Sequence, residues 1–249
     1  MILLIDIGNT RLKWALLDGT ELTDQHAAVH AAWSDADCDA AFALAQRPDR
    51  VLVSNVGGDR IGAIVRGIAM ARWGIAPTFV QSSAAAAGVR NAYPEVWKLG
   101  VDRWVGMIGA YAMHRRAVCV VNIGTAATID GVDRTGRHLG GVIVPGPDLM
   151  VDSLLKNTNG IAPRAETGSI GSGVFANNTL GAIHQGALHA VAALAERTVE
   201  SMEALGEQPQ LVLTGGASAD VGRLIRVPHV ATPDLVLRGL AVLARSDAV

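Results

Sequence analysis

Aromatic residues are scarce in this chain: Phe, Trp and Tyr make up 4% of its 249 residues, although half of the residues are hydrophobic. The core must therefore be packed from Ala, Val, Leu and Ile rather than around large rings. Cysteine is nearly absent as well. Cys38 and Cys119 lie far apart, and Cys119 sits inside an apolar run. That pattern excludes a disulfide-stapled secreted domain, and both read as reduced thiols in a reducing compartment. Surplus positive charge is missing too, because the formal net charge is −2 and Lys and Arg are scattered. There is no basic stripe of the kind nucleic-acid binding needs. No apolar run approaches membrane-spanning length, and the apolar start from Met1 to Ile5 passes straight into a polar turn. Neither a transmembrane helix nor a signal peptide is expected, and the reading is a cytoplasmic protein. The length suffices for one large domain or two small ones, each with a real core.

Glycine is abundant, and two glycine turns organise the rest. Met1 to Ile5 reads as a buried strand, Asp6-Ile7-Gly8-Asn9-Thr10 as a tight turn, and Leu12 to Leu17 as the returning strand. Gly8 lets the backbone bend where a side chain would clash, and Asn9 tolerates a left-handed conformation. Such a turn can aim N–H groups and the Thr10 hydroxyl at one point, as an anion site requires. Asp6, at the strand end, is placed to hold a hydrated Mg²⁺ beside that anion. A plain β-hairpin whose Asp and Asn satisfy turn backbone explains the stretch equally well. The second occurrence shifts the balance. Residues 118–130 again run from an apolar strand into a polar residue, Asn122, then Ile123-Gly124-Thr125 and a second strand. The offset is close to half the chain, so the two matched turns suggest duplicated domains facing one ligand.

Between and after these turns the grammar is α/β. Helices are expected over 35–46, 61–73, 102–116, 148–156 and 177–205, with strands over 50–56, 76–81, 138–144 and 211–214. A last helix, about 234–244, is expected to close the second half. His26 and His30 are four apart, a spacing that can bind metal, but no third ligand is near and an ordinary helical or surface pair is the expectation. Asp102 falls at a helix start, where capping is its most ordinary task. Thr179 stands in the run Asn177-Asn178-Thr179 before the longest helix and is open to the same reading. Residues 157–176 are rich in Gly, Ser, Thr and Asn and read as a mobile loop suited to covering a site. No Gly-Lys-Ser/Thr order is present, so a Walker-type P-loop is excluded.

In these motifs the chain resembles the actin, hexokinase and acetate-kinase superfamily, and more narrowly the type III pantothenate kinases. The residues that carry the resemblance are Asp-x-Gly-Asn-Thr-x-x-Lys at Asp6 to Lys13, Gly-x-Asp-Arg at Gly100 to Arg103, and Gly-Gly-x-x-x-Pro-Gly at Gly140 to Gly146. The resemblance spans the whole chain. It implies two duplicated ribonuclease-H-like domains, here 1–116 and 117–249, with mixed sheets flanked by helices. It implies ATP-dependent phosphorylation of pantothenate, the first step toward coenzyme A, by a cytoplasmic homodimer. Carried over residue by residue, it assigns ATP and its phosphates to Asp6, Ile7, Gly8, Asn9, Thr10, Arg11, Leu12, Lys13 and Thr125. Mg²⁺ falls to Asp6, through water. Pantothenate falls to Tyr93, Gly100, Val101, Asp102, Arg103 and Thr179, with Asp102 as the catalytic base. Leu211 to Gly216, ending in Thr-Gly-Gly, is similar to the superfamily's adenosine turn. The chain departs from the pattern at Asn122: many relatives carry Asp there, where it helps to hold K⁺ or NH₄⁺. A sister sugar kinase and a non-enzymatic transcriptional accessory factor are the alternatives. Tyr93 with Gly100 to Arg103 argues against the first, and retention of Asp6, Lys13 and Asp102 argues against the second.

Overall fold

The structure is a computed structural model and describes residues 1–30, 33–42, 46–165, 167–171 and 173–246. It contains two compact units, residues 1–113 with 234–249, and residues 114–233. Each is built on a five-stranded mixed sheet, and the two sheets share one topology.

In the first unit the strands are β1 (Ile2–Ile7), β2 (Arg11–Asp18), β3 (Glu21–Val29), β4 (Arg50–Asn55) and β5 (Thr78–Phe79), in the spatial order β3-β2-β1-β4-β5. β1 pairs antiparallel with β2 and parallel with β4. A strand enclosed on both sides and both faces reads as an unbroken apolar run, which is why Ile2 to Ile5 carries no alternation. Leu3, Ile5 and Ile7 face α1 (Asp35–Ala41) and α2 (Asp59–Trp73), packing with Phe42, Ile61, Val65 and Trp73. By the two-residue period of a strand, Leu4 and Asp6 point to the other face. A short hairpin, β6 (Ala85–Ala86) with β7 (Val89–Arg90), and a 3₁₀ turn at Val96–Lys98 lead into α3 (Val101–His114). Arg115, with φ of 50°, ends that helix two residues before the sequence suggests.

The second unit repeats the plan with β8 (Val118–Ile123), β9 (Ala126–Val132), β10 (His138–Pro145), β11 (Gln210–Thr214) and β12 (His229–Ala231), in the order β10-β9-β8-β11-β12. α4 (Pro147–Asn157), α5 (Thr179–Ala204) and α6 (Ser218–Gly222) complete it. Val191, Ala195, Val199 and Met202 of α5 pack on Cys119, Val121, Ile123 and Ile129. Both cysteines are buried and outside any disulfide, and burial pushes the Cys119 thiol up to about 12, so it is an inert core residue.

Three expectations need correction. The final helix, α7 (Leu235–Arg245), does not close the second half: it packs on β1, β2 and β4 of the first unit. Its Gly239 lies so close to the Val105 carbonyl of α3 that a Cβ would not fit, which locks the two helices together. The region of His26 is strand β3, not helix, so the two histidines do not share a helical face; His26 stacks on Trp14 at 5.1 Å instead. The strand expected over 76–81 is reduced to Thr78–Phe79. The helix expected over 35–46 is seen to Ala41, opened by a Ser34–Asp37 capping box, and residues 43–45 lie outside the described residues. So do residues 166 and 172 of the expected loop, whose other positions are irregular apart from the end of α4 and a 3₁₀ turn at Ala162–Arg164. No described helix is long and apolar enough to cross a membrane.

Candidate active site

The two turns singled out in the sequence occupy matching places. In the first unit Gly8 N–H donates to the Arg11 carbonyl at 2.9 Å, closing the β1–β2 connection. In the second, Gly124 N–H donates to the Ala126 carbonyl at 3.0 Å, closing β8–β9. Each turn is backed by the loop after the neighbouring parallel strand. The Ile7 carbonyl accepts from Val56 and Gly57, and the Ile123 carbonyl accepts from Ala217. A Cβ at Gly57 would lie 2.6 Å from the Gly8 oxygen, and one at Gly215 would collide with the Ile123 carbonyl. Glycine is required at both places because backbone meets backbone there. Gly146, in the Pro-Gly that ends β10, meets Gly124 in the same way.

Asp6 ends β1 on the face away from α1 and α2. It sits opposite Lys13 of β2 and beside Ser54 of β4. Ile7 and Leu12 are wholly buried in the core, so only their backbones can serve a ligand, whereas Asn9, Thr10 and Arg11 are exposed. Burial pushes the Asp6 carboxyl up from 3.8 to about 7; the Lys13 ammonium pulls it down and the Asp102 carboxylate raises it further. Asp6 Oδ1 and Ser54 Oγ are nonetheless both buried without a hydrogen bond. A buried polar oxygen with no hydrogen-bond partner is uncommon in a folded protein and calls for an explanation.

Asp102 lies in the first turn of α3, but it is not the cap. Gly100 fills that position, its carbonyl accepting from Trp104 N–H at 3.0 Å. Asp102 stands inside that cap, at the second position of the helix. Its electrostatic effect on Asp6 ties the two carboxylates to one locality of the first unit. Arg103, the next residue, is buried; its Nη1 donates to Tyr93 Oη at 3.3 Å, and its guanidinium lies 5.8 Å from the Tyr93 ring centroid. Tyr93 is itself set by Asn91, whose Oδ1 accepts from its N–H at 2.9 Å. A Cβ at Gly100 would come within 2.9 Å of Asp102 Oδ1. Gly100→Ala should therefore swing the carboxylate aside, lowering kcat roughly ten- to hundredfold. The thermal midpoint should hardly move, since the contact is with the mobile end of a side chain. Steady-state rates beside a thermal melt check this; unchanged kcat would show that the carboxylate position is not critical.

Thr125, Asn122 and Thr179 belong to the second unit. Thr125 is exposed in its turn, and Asn122 sits on β8 opposite Thr128 and beside Thr214, at the place Asp6 has in the first sheet. Thr179 is the first residue of α5, and the cap is Asn178, whose Oδ1 accepts from Gly181 N–H at 2.8 Å. Capping thus explains Thr179 no better than it explains Asp102. Ser54, whose place beside Asp6 follows only from parallel pairing, was not marked by the sequence. His30 drew notice only through its spacing from His26, whereas its buried ring reaches the Gly8 carbonyl at 2.7 Å.

Two sheets of one topology, each carrying a glycine turn at the same place, define a duplicated α/β fold with mixed sheets flanked by helices. Solved structures agree on the fold: a Sinorhizobium meliloti protein assigned as a 2-dehydro-3-deoxygalactonokinase superposes with a TM-score of 0.62 at 14% identity, covering 98% of both chains. A Campylobacter jejuni protein assigned to the Baf family of transcriptional activators gives 0.59 at 19% identity, covering 97% of both. The model of the type III pantothenate kinase family matches residues 2–201, and a type III pantothenate kinase of Aromatoleum aromaticum is 40% identical over 253 residues, covering 100% of this chain and 99% of that one. The chain belongs to the type III pantothenate kinase family.

Proposed function

We propose that this protein transfers the γ-phosphoryl group of ATP to the primary 4′-hydroxyl of pantothenate, the first step of coenzyme A biosynthesis. The observation that best supports the reading is that the Asp102 carboxylate raises the Asp6 carboxyl, so the two acids of the first unit feel each other's charge. Phosphoryl transfer depends on positioning and charge stabilisation, and these residues divide that work. Asn9 and Thr10 offer donors to the phosphates, with backbone support from Ile7, Gly8, Arg11 and Leu12, and Lys13 offers charge. Thr125, at the matching turn of the second unit, is assigned to the phosphates as well. Asp102 orients the attacking hydroxyl and accepts its proton. Tyr93, Gly100, Val101, Arg103 and Thr179 hold the polar groups of pantothenate. The unpartnered Asp6 oxygen fits Mg²⁺ held through water. When bound, that ion neutralises phosphate charge. A cytoplasmic location goes with this reading. Pantothenate-dependent release of ADP by the purified protein, with ATP and Mg²⁺, tests it. ADP release that needs a sugar acid in place of pantothenate would overturn it.

The monovalent cation is a separate matter. The groups aligned across the strands at Asn122 are threonines, so the oxygen donors there are neutral. Neutral oxygens do bind K⁺, but the loss of an anionic ligand weakens the site. Activity at constant ionic strength should therefore either rise only at high KCl or ignore it, and Asn122→Asp should create a response at low millimolar K⁺. Saturation of the unaltered protein at low K⁺ would contradict this.

The homodimer is also part of the proposal, motivated by the family and by the long Ala-rich α5. Light scattering should give twice the chain mass, and a monomer at micromolar concentration would remove both the dimer and much of the case for Thr179.

A further inference from the structure

We propose that His30 is a positioning residue for the phosphate turn, holding the Gly8–Asn9 peptide so that the Asn9 N–H faces outward. The proposal rests on the reading of Asp6 to Lys13 as the phosphate site. His30 directly follows β3 and is 4% exposed. Its Nε2 lies 2.7 Å from the Gly8 carbonyl oxygen, and its backbone N–H donates to the Thr10 carbonyl at 3.2 Å. A carbonyl only accepts, so Nε2 carries the proton, as it does in one neutral tautomer and in the imidazolium. One residue thus ties down the carbonyls on both sides of Asn9.

The consequence follows from peptide geometry. No peptide bond among the described residues is cis, and in a trans peptide the C=O and the N–H that follows it point in opposite directions. With the Gly8 carbonyl aimed at the buried imidazole, the Asn9 N–H is aimed away from it, on an exposed residue. A turn that binds an anion needs its amides in that sense. Gly8 and Asn9 are the two residue types most tolerant of left-handed backbone, so their shared peptide is the easiest in the turn to flip. A flipped peptide would present an oxygen to the phosphate. The His30 hydrogen bond opposes that flip, and the Gly57 backbone leaves the Gly8 oxygen little room on its other side.

The test uses side-chain reach. The glutamine Nε2 stands as many bonds from Cα as the histidine Nε2, the asparagine Nδ2 one bond fewer, and leucine has no donor. In the full-length protein, His30→Asn and His30→Leu should raise KM for Mg·ATP roughly tenfold, with His30→Gln within about threefold of wild type. KM for pantothenate should stay put in all three. A common shift in the three variants, or a change in thermal midpoint alone, would make His30 a packing residue and overturn the proposal. If His30→Leu does not fold, the Gln against Asn comparison decides. Thr10→Ala is measured alongside. If it leaves KM for Mg·ATP unaltered, the phosphate-turn reading has failed and the proposal falls with it. If it raises KM while His30→Asn does not, His30 alone is wrong.

Discussion

Asp102→Asn is expected to lower turnover roughly 10²–10⁴-fold while Mg·ATP still binds. The substitution keeps the shape of the side chain, and α3 does not depend on it for capping, because Gly100 occupies the cap position. What would be lost is the proposed proton acceptor. A second signature separates this from general damage. The Asp102 charge helps to hold the Asp6 carboxyl high, so its removal should let Asp6 ionise at lower pH. The pH at which Mg·ATP affinity rises should therefore move down in the variant. Steady-state kinetics with calorimetry between pH 6 and 8 reads both effects. Near wild-type turnover would remove Asp102 from the catalytic role.

Asp6→Asn is expected to do two opposite things: weaken Mg·ATP use severely and stabilise the free protein. The folded carboxyl titrates near 7 against 3.8 in the unfolded chain, so the folded state binds the extra proton. Its stability is full below the unfolded value and falls as pH rises through 7, where a buried charge must form. A shift of that size corresponds to a loss on the order of 4 kcal/mol above pH 7. Asparagine escapes that loss. The variant should therefore melt well above wild type at pH 8, with the gap narrowing through pH 6 and closing near pH 4. Thermal melts across this range, without nucleotide or divalent metal, check the sign. A gap independent of pH would mean that Asp6 is not held protonated. Nearly unaltered Mg·ATP use would mean that it is no metal site.

Stability is thus given up at the residue proposed for function, and this was the part least legible in the sequence. Asp6 stood out from its place at a strand end before a glycine turn, but the upward push on its carboxyl follows from burial between β2 and β4 and from the Asp102 charge. Only tertiary structure brings those together. The paired hairpins were legible because strand, turn and strand are local and occur twice. β3 was missed for the converse reason: it is an edge strand exposed along most of its length, so no apolar alternation marks it. That miss hid His30, whose contact with Gly8 depends on the β2–β3 register. The last helix had an evident apolar pattern, yet the pattern says only that it packs, not on which sheet. The caps were a near miss. Asn178 and Gly100 take the capping positions that the sequence offered to Thr179 and Asp102, because cap and first turn are one or two residues apart and the pattern does not fix the boundary.

The most direct test of the account is to identify the product. Pantothenate, Mg·ATP and the purified protein are incubated together, and the phosphorus signal is correlated with its neighbouring protons by NMR. A phosphate monoester coupled to the methylene of the primary 4′-hydroxyl is expected, formed in step with ADP. ADP appearing with inorganic phosphate while pantothenate stays unmodified would contradict it.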